Sequence, residues 1–302
     1  MSACLNNDRS DLQATVQKAA VLVEALPYIQ RFKHEIIVVK MGGSVMECRE
    51  HLVSTLMDIA FMRTVGMLPV VVHGGGKAIS RALKAAGIET AFVHGLRVTD
   101  AASMQVVEAV IKDEVNADVV RILKASGVEA EAMHGDRIFF SDKKTGHDPA
   151  TGASLDWGYV GEPIAVDTGP VRDLLHARRI PVVCPLGRGA DGQVYNINAD
   201  TAAAALAKAL KARKLVYVSD VPGLLRDPAD PRTLIDTLRA ADAPLLMEQG
   251  IVGGGMLPKI RSCLEALDAG VRKVHLVDGR MPHSLLLEIF TNKGVGTEIV
   301  NQ

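Results

Sequence analysis

The sequence predicts an α/β fold built around a mainly parallel sheet. Two observations carry that expectation. Short apolar runs (EIIVVK, MLPVVVH, IPVVCP, KLVYVS) recur between helical stretches, and glycine clusters stand where strands should pass into helices. Strands separated by helices form right-handed βαβ units and hence a parallel sheet. The 302 residues permit one large domain or two lobes. Hydrophobic residues make up 48% and aromatics only 4%, so the core must be aliphatic and alanine-rich.

Taken in order, residues 1–10 are polar and read as a frayed start. Ser10-Asp11-Leu12-Gln13 fits a capping box. Leu12, Val16, Ala19, Val23 and Leu26 then form a heptad-like stripe ending at Pro27. That helix either packs on its own domain or pairs with another subunit. Its place before the first strand, outside the alternation, favours the second. Glu35–Lys40 is a buried strand, Arg49–Val65 a helix, Met67–His73 the next strand and Lys77–Ala86 a helix stopped by Gly87. One long helix fits Ala102–Ala125, capped by Thr99 or Asp100.

The middle changes character. Glu129–Phe140 and Trp157–Val166 alternate as strands around a polar Lys143–Ser154 loop, which reads as a hairpin appended to the sheet. Val171–Arg178 is helical, and Ile180–Pro185 and Gln193–Asn198 are strands. Ala202–Ala212 is an alanine-rich helix and Lys214–Ser219 a strand. Beyond the Pro228–Pro231 loop come helix Met256–Ala269, strand Arg272–Asp278, helix Pro282–Phe290 and a last strand Gly296–Val300. A lobe boundary falls near residues 185–195 without a marked linker.

Composition excludes several classes. Lys plus Arg is 34 and Asp plus Glu 35, a net charge of −1, unlike the basic excess of a general nucleic-acid binder. No apolar run reaches the ~20 residues of a membrane span. The four cysteines lie far apart, which excludes a zinc ribbon or a redox CxxC motif. The polar start carries no secretory pattern, so the expected location is the cytoplasm. The nine histidines show no metal-ligand clustering, and no protein metal site is expected. His73 reads as the end of its strand.

Three glycine clusters remain: Lys40-Met41-Gly42-Gly43-Ser44, His73-Gly74-Gly75-Gly76 and Gly253-Gly254-Gly255-Met256-Leu257-Pro258-Lys259. Ligands of open α/β sheets bind beyond the carboxyl ends of strands. Glycine there lets backbone N–H groups approach an anion, helped by the next helix. No G-x-G-x-x-G follows a strand, and no G-x-x-x-x-G-K-[ST], G-x-S-x-G or H-E-x-x-H occurs. Dinucleotide, P-loop and two hydrolase readings are thereby disfavoured.

With Gly95-Leu96-Arg97-Val98-Thr99-Asp100, Asn196-Ile197-Asn198-Ala199-Asp200 and Ser219-Asp220-Val221-Pro222-Gly223, these motifs stand in the order seen in amino acid kinases. The set resembles acetylglutamate kinases from about residue 30 to 300. The resemblance implies a three-layer αβα sandwich of the amino acid kinase fold. It implies an oligomerisation and regulatory helix over residues 1–30, an acetylglutamate-binding lobe over 31–190 and an ATP-binding lobe over 191–302. The implied reaction moves the γ-phosphoryl of ATP to the side-chain carboxylate of N-acetyl-L-glutamate, the second step of arginine synthesis.

Residue by residue, the resemblance implies that Lys40 and Lys259 stabilise the transferring phosphate from opposite sides and that Asp200 orients them. Asp200 could instead merely cap the helix at Thr201, and the two readings are compatible. Gly75, Gly76, Arg97, Asn196 and Asn198 would hold the substrate, Arg97 through its two-pronged fork. Gly42 and Gly43, Ser219, Asp220, Val221, Gly223 and Leu224, and Gly254, Gly255 and Met256 would receive the nucleotide, with Mg²⁺ held mainly by phosphate oxygens. In arginine-regulated members a mobile N-terminal helix interlaces dimers into a hexamer. Here Tyr28, Glu288, Gly294 and Gly296 match that arginine site, so inhibition by L-arginine and a hexamer built from dimers are expected. Lys77 and His94 stand where the family commonly has Pro and Asn. That keeps a kinase for carrier-protein-bound aminoadipate as a competitor, and a non-catalytic ATP or arginine sensor is the reading of a different class.

Overall fold

The computed structural model describes residues 3–148, 151–253, 256–291 and 294–301, with backbone alone at 3–11, 14, 15, 18, 44 and 258. Helix α1 (Ala3–Phe32) leads into strand β1 (Ile36–Met41). Helices α2 (Gly43–Glu47) and α3 (Arg49–Thr64), strand β2 (Leu68–His73) and helix α4 (Gly76–Ala85) follow. A small hairpin, β3 (Phe92–Val93) and β4 (Leu96–Arg97), precedes α5 (Ala101–Ala109), a π-helical segment (Val110–Asn116) and α6 (Ala117–Ala125). Next come β5 (Ala130–His134), β6 (Phe139–His147), β7 (Ser154–Val166), α7 (Gly169–His176), β8 (Ile180–Cys184), β9 (Leu186–Arg188) and β10 (Val194–Ile197). The chain continues through α8 (Ala199–Leu210), β11 (Lys214–Ser219), β12 (Thr237–Arg239), α9 (Ala243–Glu248), α10 (Met256–Asp268), β13 (Lys273–Asp278), α11 (Ser284–Phe290) and β14 (Thr297–Val300).

The central sheet has the order β12-β14-β13-β11-β1-β2-β8-β5. Its pairs are parallel except β13 with β14. Successive side chains of a strand point to opposite faces, and β1 shows both faces buried. Val38 joins a core with α8 and α10, whereas Ile37, Val39 and Met41 join a second core with α3, α6 and α11. Two buried faces explain why these strands read as continuous apolar runs rather than alternating ones. Lys40 lies on the Val38 face, level with Tyr217 of β11 and Val72 of β2. Against that face packs α8, whose Ala202, Ala203, Leu206 and Ala207 are all fully buried. Small side chains let this helix lie close to the sheet.

Several expectations are corrected. Helix α1 begins before Ser10, and it passes through Pro27 to Phe32. A proline inside a helix removes one hydrogen bond, at about 3 kcal/mol. Packing of Ala25, Tyr28, Ile29 and Phe32 against the second core offsets that loss. Upstream, the stripe residues Leu12, Val16, Val23 and Leu26 are all exposed. The helix expected over 102–125 is interrupted by the π segment, and its N-cap is Asp100, which accepts from the Ser103 N–H at 2.7 Å. The strand expected over 129–140 divides into β5, inside the main sheet, and β6. The β6–β7 hairpin is not a sheet extension: with β9 and β10 it closes a four-stranded barrel. Closure needs glycine at Gly161, where a Cβ would stand 2.6 Å from the Tyr195 Cβ. Strand β12 and helix α9 had no periodic signal.

Candidate active site

The first two glycine clusters stand at the carboxyl ends of β1 and β2. Lys40 comes from the end of β1, Asp200 from the first turn of α8 and Lys259 from α10. Asp200 binds both lysines: Lys40 Nζ lies 2.5 Å from Oδ1, and Lys259 Nζ donates to Oδ2 at 3.0 Å. Asp200 lies inside the first turn and is not the helix cap. That role belongs to Asn198, whose Oδ1 accepts from the N–H groups of Asp200 at 2.8 Å and Thr201 at 3.2 Å. A carboxylate in the first turn of a helix also faces the favourable end of its dipole.

Burial alone would push the Asp200 carboxyl up, but the charges of Lys40 and Lys259 outweigh it and hold it at about 2. Lys40 is 7% exposed, and that burial pulls its pKa down against the attraction of Asp200. Lys259 Nζ also stands 5.2 Å from the centre of the buried Tyr217 ring. The register of β1 on β11 puts Tyr217 beside Lys40, so one sheet face carries both lysine supports. Two ammonium groups against one carboxylate leave a local charge of +1, suited to an incoming polyanion.

A cavity of ≈ 240 Å³ opens beside Lys40, the one triad member that lines it. It is lined by Gly43, Gly75, Gly76, Arg97, Asn196 and Asn198 among others. The structure thus brings together every residue expected at the acid substrate. Arg97 is 6% exposed, and its Nη2 donates to the Gly76 carbonyl and to Ser80 Oγ, both at 2.8 Å. Its guanidinium stacks on Phe92 at 4.7 Å. Burial lowers its pKa. Nη1 is buried with no hydrogen-bond partner among the described residues. One nitrogen of the expected fork is therefore already engaged, and the other is the donor left for a carboxylate. A Cβ on Gly75 would stand 2.4 Å from the terminal methyl of Ile111 in the π segment, which would have to shift.

His73 is structural. Its Nδ1 donates to the Gly74 carbonyl at 2.9 Å, and its Nε2 accepts from Asn116 Nδ2 at 2.9 Å. Both contacts suit a neutral ring, and burial pushes its pKa down to about 4.

The nucleotide side is mixed. The Gly42 N–H is spent on the Val218 carbonyl at 2.8 Å, and a Cβ there would stand 3.2 Å from that oxygen and 3.4 Å from Lys40 Nζ. Ser219 ends β11 with its Oγ buried and unpartnered among the described residues. Asp220 is exposed, Val221 half-buried, and Gly223 holds φ +142. Leu224 is buried, with its N–H bonded to Thr297 Oγ1 and its carbonyl to the Ile235 N–H, both at 2.8 Å. It shapes the turn, and its N–H is already taken within the protein. Met256 opens α10. Gly254 and Gly255 lie outside the described residues.

A second cavity of ≈ 210 Å³ lies between α1, α11 and the sheet edge. Tyr28, Glu288 and Gly294 line it with Lys214 and Glu298. The 294–296 turn wraps the Glu288 carboxylate: Oε2 accepts from the N–H groups of Val295 at 2.8 Å and Gly296 at 3.0 Å, and Oε1 meets His275 Nδ1 at 2.6 Å. Gly294, at φ +66, and Gly296, where a Cβ would strike the Leu276 carbonyl, make that wrap possible. Burial pulls Lys214 down to about 8.

Sequence reasoning missed Ser80, Tyr217 and Asn116. Only their positions in space connect them to the site. Ser80 follows Gly76 by one helical turn, which is too common a spacing to serve as a signal.

Residues 35–278 match the model of the amino acid kinase family. Curated acetylglutamate kinases from Heliobacterium modesticaldum and Akkermansia muciniphila are 45% and 42% identical, over 94% and 97% of this chain and 98% and 99% of theirs. Among solved structures, N-acetylglutamate synthase from Neisseria gonorrhoeae, complexed with coenzyme A and N-acetyl-glutamate, aligns with a TM-score of 0.81 at 30% identity. That alignment covers 94% of this chain and 63% of the synthase chain. Isopentenyl phosphate kinase, at 19% identity and a TM-score of 0.61, shares the fold. The chain belongs to the amino acid kinase family, alongside its acetylglutamate kinases.

Proposed function

We propose that this chain transfers the γ-phosphoryl group of ATP to the side-chain carboxylate of N-acetyl-L-glutamate, forming N-acetyl-L-glutamyl 5-phosphate in arginine biosynthesis. The observation that carries this reading is the Lys40–Asp200–Lys259 triad, whose Lys40 lines the same cavity as the unfilled Arg97 donor. The acyl-acceptor carboxylate has a reference pKa near ~4.3 and is ionised at neutral pH, so the reaction needs no general base. The obstacle is the approach of an anion to a polyanion, which positioning and charge stabilisation overcome. Lys40 and Lys259 supply positive charge at the transferring group, Asp200 fixes their positions, and Arg97 with Asn196 orients the acid. Ser219 and the 220–223 turn serve the nucleotide side. Mg²⁺ would be carried mainly by phosphate oxygens and water. When bound, that ion neutralises phosphate charge.

The two departures from the family pattern leave the acid cavity intact. Lys77 pairs with Glu47 at 2.5 Å and His94 with Asp148 at 3.3 Å, and neither lines the cavity. This supports N-acetylglutamate over a larger carrier-bound acid. The test is hydroxamate trapping with ATP, Mg²⁺ and a panel of acids. Acyl phosphate from N-acetylglutamate alone is the expected result. Product only from aminoadipate derivatives, or none from any acid, would reject the reading.

Regulation belongs to the same proposal. The second cavity carries acidic Asp236, Glu288 and Glu298 among basic Arg31, Arg213, Lys214, Arg272 and Lys273, and so offers partners for both the carboxylate and the cationic groups of an amino acid. L-Arginine is the proposed inhibitor there. The exposed stripe of α1 is the proposed contact by which dimers join into a hexamer. Deleting residues 1–26 should leave a dimer with much reduced arginine sensitivity, and an unchanged hexamer would refute the model. Residues 31–190 are proposed as the acid lobe and 191–302 as the nucleotide lobe. No helix among the described residues is long and apolar enough to cross a membrane, and the cytoplasm is the proposed location.

A further inference from the structure

Arg97 sits on the β3–β4 hairpin, which has two residues per strand and pairs with no other strand among the described residues. An isolated hairpin is at best marginally stable. The position of Arg97 must therefore be set from outside, and the barrel provides the tie. Trp157 of β7 is 5% exposed, and its indole Nε1–H donates to the Val93 carbonyl of the hairpin at 3.0 Å. The backbone repeats the link. The Thr99 N–H donates to the Trp157 carbonyl at 2.9 Å, and the Tyr159 N–H donates to the Thr99 carbonyl at 2.7 Å. Between them Gly158 holds φ +72, and a Cβ there would run into the Thr99 carbonyl. Thr99 is fully buried; its Oγ1 donates to the Arg97 carbonyl at 3.1 Å and accepts from Asn196 Nδ2 at 3.5 Å. Gly146 leaves the indole just enough room, since a Cβ would stand 3.0 Å from the ring.

We propose that Trp157 is a positioning residue for the acid substrate: its indole N–H clips the β3–β4 hairpin to the barrel and thereby sets Arg97 against the cavity. The Thr99 bridge couples that clip to Asn196, so the two side chains proposed to hold the acid share one anchor. This rests on the reading of Arg97 as the carboxylate ligand.

Trp157→Phe removes the donor and keeps an aromatic ring. One intramolecular hydrogen bond is worth about a three- to tenfold change in an equilibrium. The expected result is that KM for N-acetylglutamate rises by about that factor, while KM for ATP and kcat stay within about twofold. Trp157 is the only tryptophan, so the wild-type chain reports on the clip directly. N-acetylglutamate alone should shift its emission, and MgATP alone should not. Arg97→Lys separates the two layers of the argument. If Arg97→Lys leaves KM for N-acetylglutamate unchanged, the reading of Arg97 fails and the proposal with it. If Arg97→Lys raises that KM and Trp157→Phe does not, the clip alone is overturned. A loss of kcat with unchanged KM in Trp157→Phe, or wild-type emission indifferent to saturating N-acetylglutamate, overturns it as well.

Discussion

Asp200→Asn removes the charge between two ammonium groups while keeping the side-chain shape. The carboxyl titrates at about 2 in the folded chain, against ~3.9 for an ordinary aspartate. That difference corresponds to roughly 2–3 kcal/mol of stability at neutral pH. The variant also leaves the buried Lys40 without its counter-ion, and breaking a buried pair by removing one partner costs about 3–5 kcal/mol. A loss of roughly 3 kcal/mol at pH 7 is the expectation. At ~2–4 °C per kcal/mol for a chain somewhat smaller than this one, the melting temperature should fall by about 5–10 °C. The sign of the pH dependence follows from the lowered pKa. The contribution is complete above the unfolded value, and it is lost as pH falls from about 4 towards about 2. The gap between wild type and variant should therefore be constant from pH 7 to 5 and shrink steadily below pH 4. Turnover should fall by about 10²- to 10³-fold, because both lysines lose the group that aims them. KM for ATP should not rise, since the site's local charge goes from +1 to +2. Paired thermal melts across pH and steady-state kinetics supply the measurements. Equal melting temperatures at pH 7, a gap indifferent to pH, or near-normal turnover would refute the assignment of Asp200 as the organiser of the lysines.

Lys40→Met and Lys259→Met should each keep the fold by circular dichroism and lose turnover by ~3–4 kcal/mol of barrier, read as kcat in the coupled assay. Ala203→Leu should lower stability by about 1–3 kcal/mol in urea unfolding, because α8 lies on the sheet with no room for added methylenes. Lys214→Met should raise the melting temperature at pH 7, because burial holds the folded lysine at about 8. Below that value both states are protonated and the penalty is complete. The gain should shrink between about pH 8 and ~10.5, as the unfolded lysine also loses its proton. Gly296→Ala should abolish arginine sensitivity in an inhibition titration before it abolishes catalysis. Its Cβ would strike the Leu276 carbonyl and open the wrap around Glu288.

Most of the sheet was legible because its signals are local. The runs at 35–40, 67–73, 180–185 and 214–219 return as β1, β2, β8 and β11 within two residues. The glycine loops were legible as clusters of neighbouring residues, although a Cβ would meet a tight contact only at Gly42 and Gly75 and would face open space at Gly43 and Gly76. What escaped was decided by contacts distant in sequence. Pro27 is a strong local stop signal, yet Tyr28, Ile29 and Phe32 gain enough burial on the second core for α1 to continue. The π segment shifts the helix phase within an unbroken apolar pattern, and only its contacts with Gly75 and His73 reveal it. Alternation in β6 and β7 marks strands but carries nothing about whether they extend a sheet or close a barrel.

The sequence by itself determined the parallel α/β class, the family, and the residues from which a phosphate and carboxylate site could be built. It did so through strand and helix periods, glycine placement and motif order, all properties of neighbouring residues. Only the tertiary structure decided that Asp200 joins both lysines rather than capping its helix, that Asn198 is the cap, and that one nitrogen of Arg97 is already engaged. The physical reason is that a buried charge takes the partner packing brings within about 3 Å. Lys40, Asp200 and Lys259 are brought together by an alanine-rich helix seated on a sheet face, from three distant stretches of the chain.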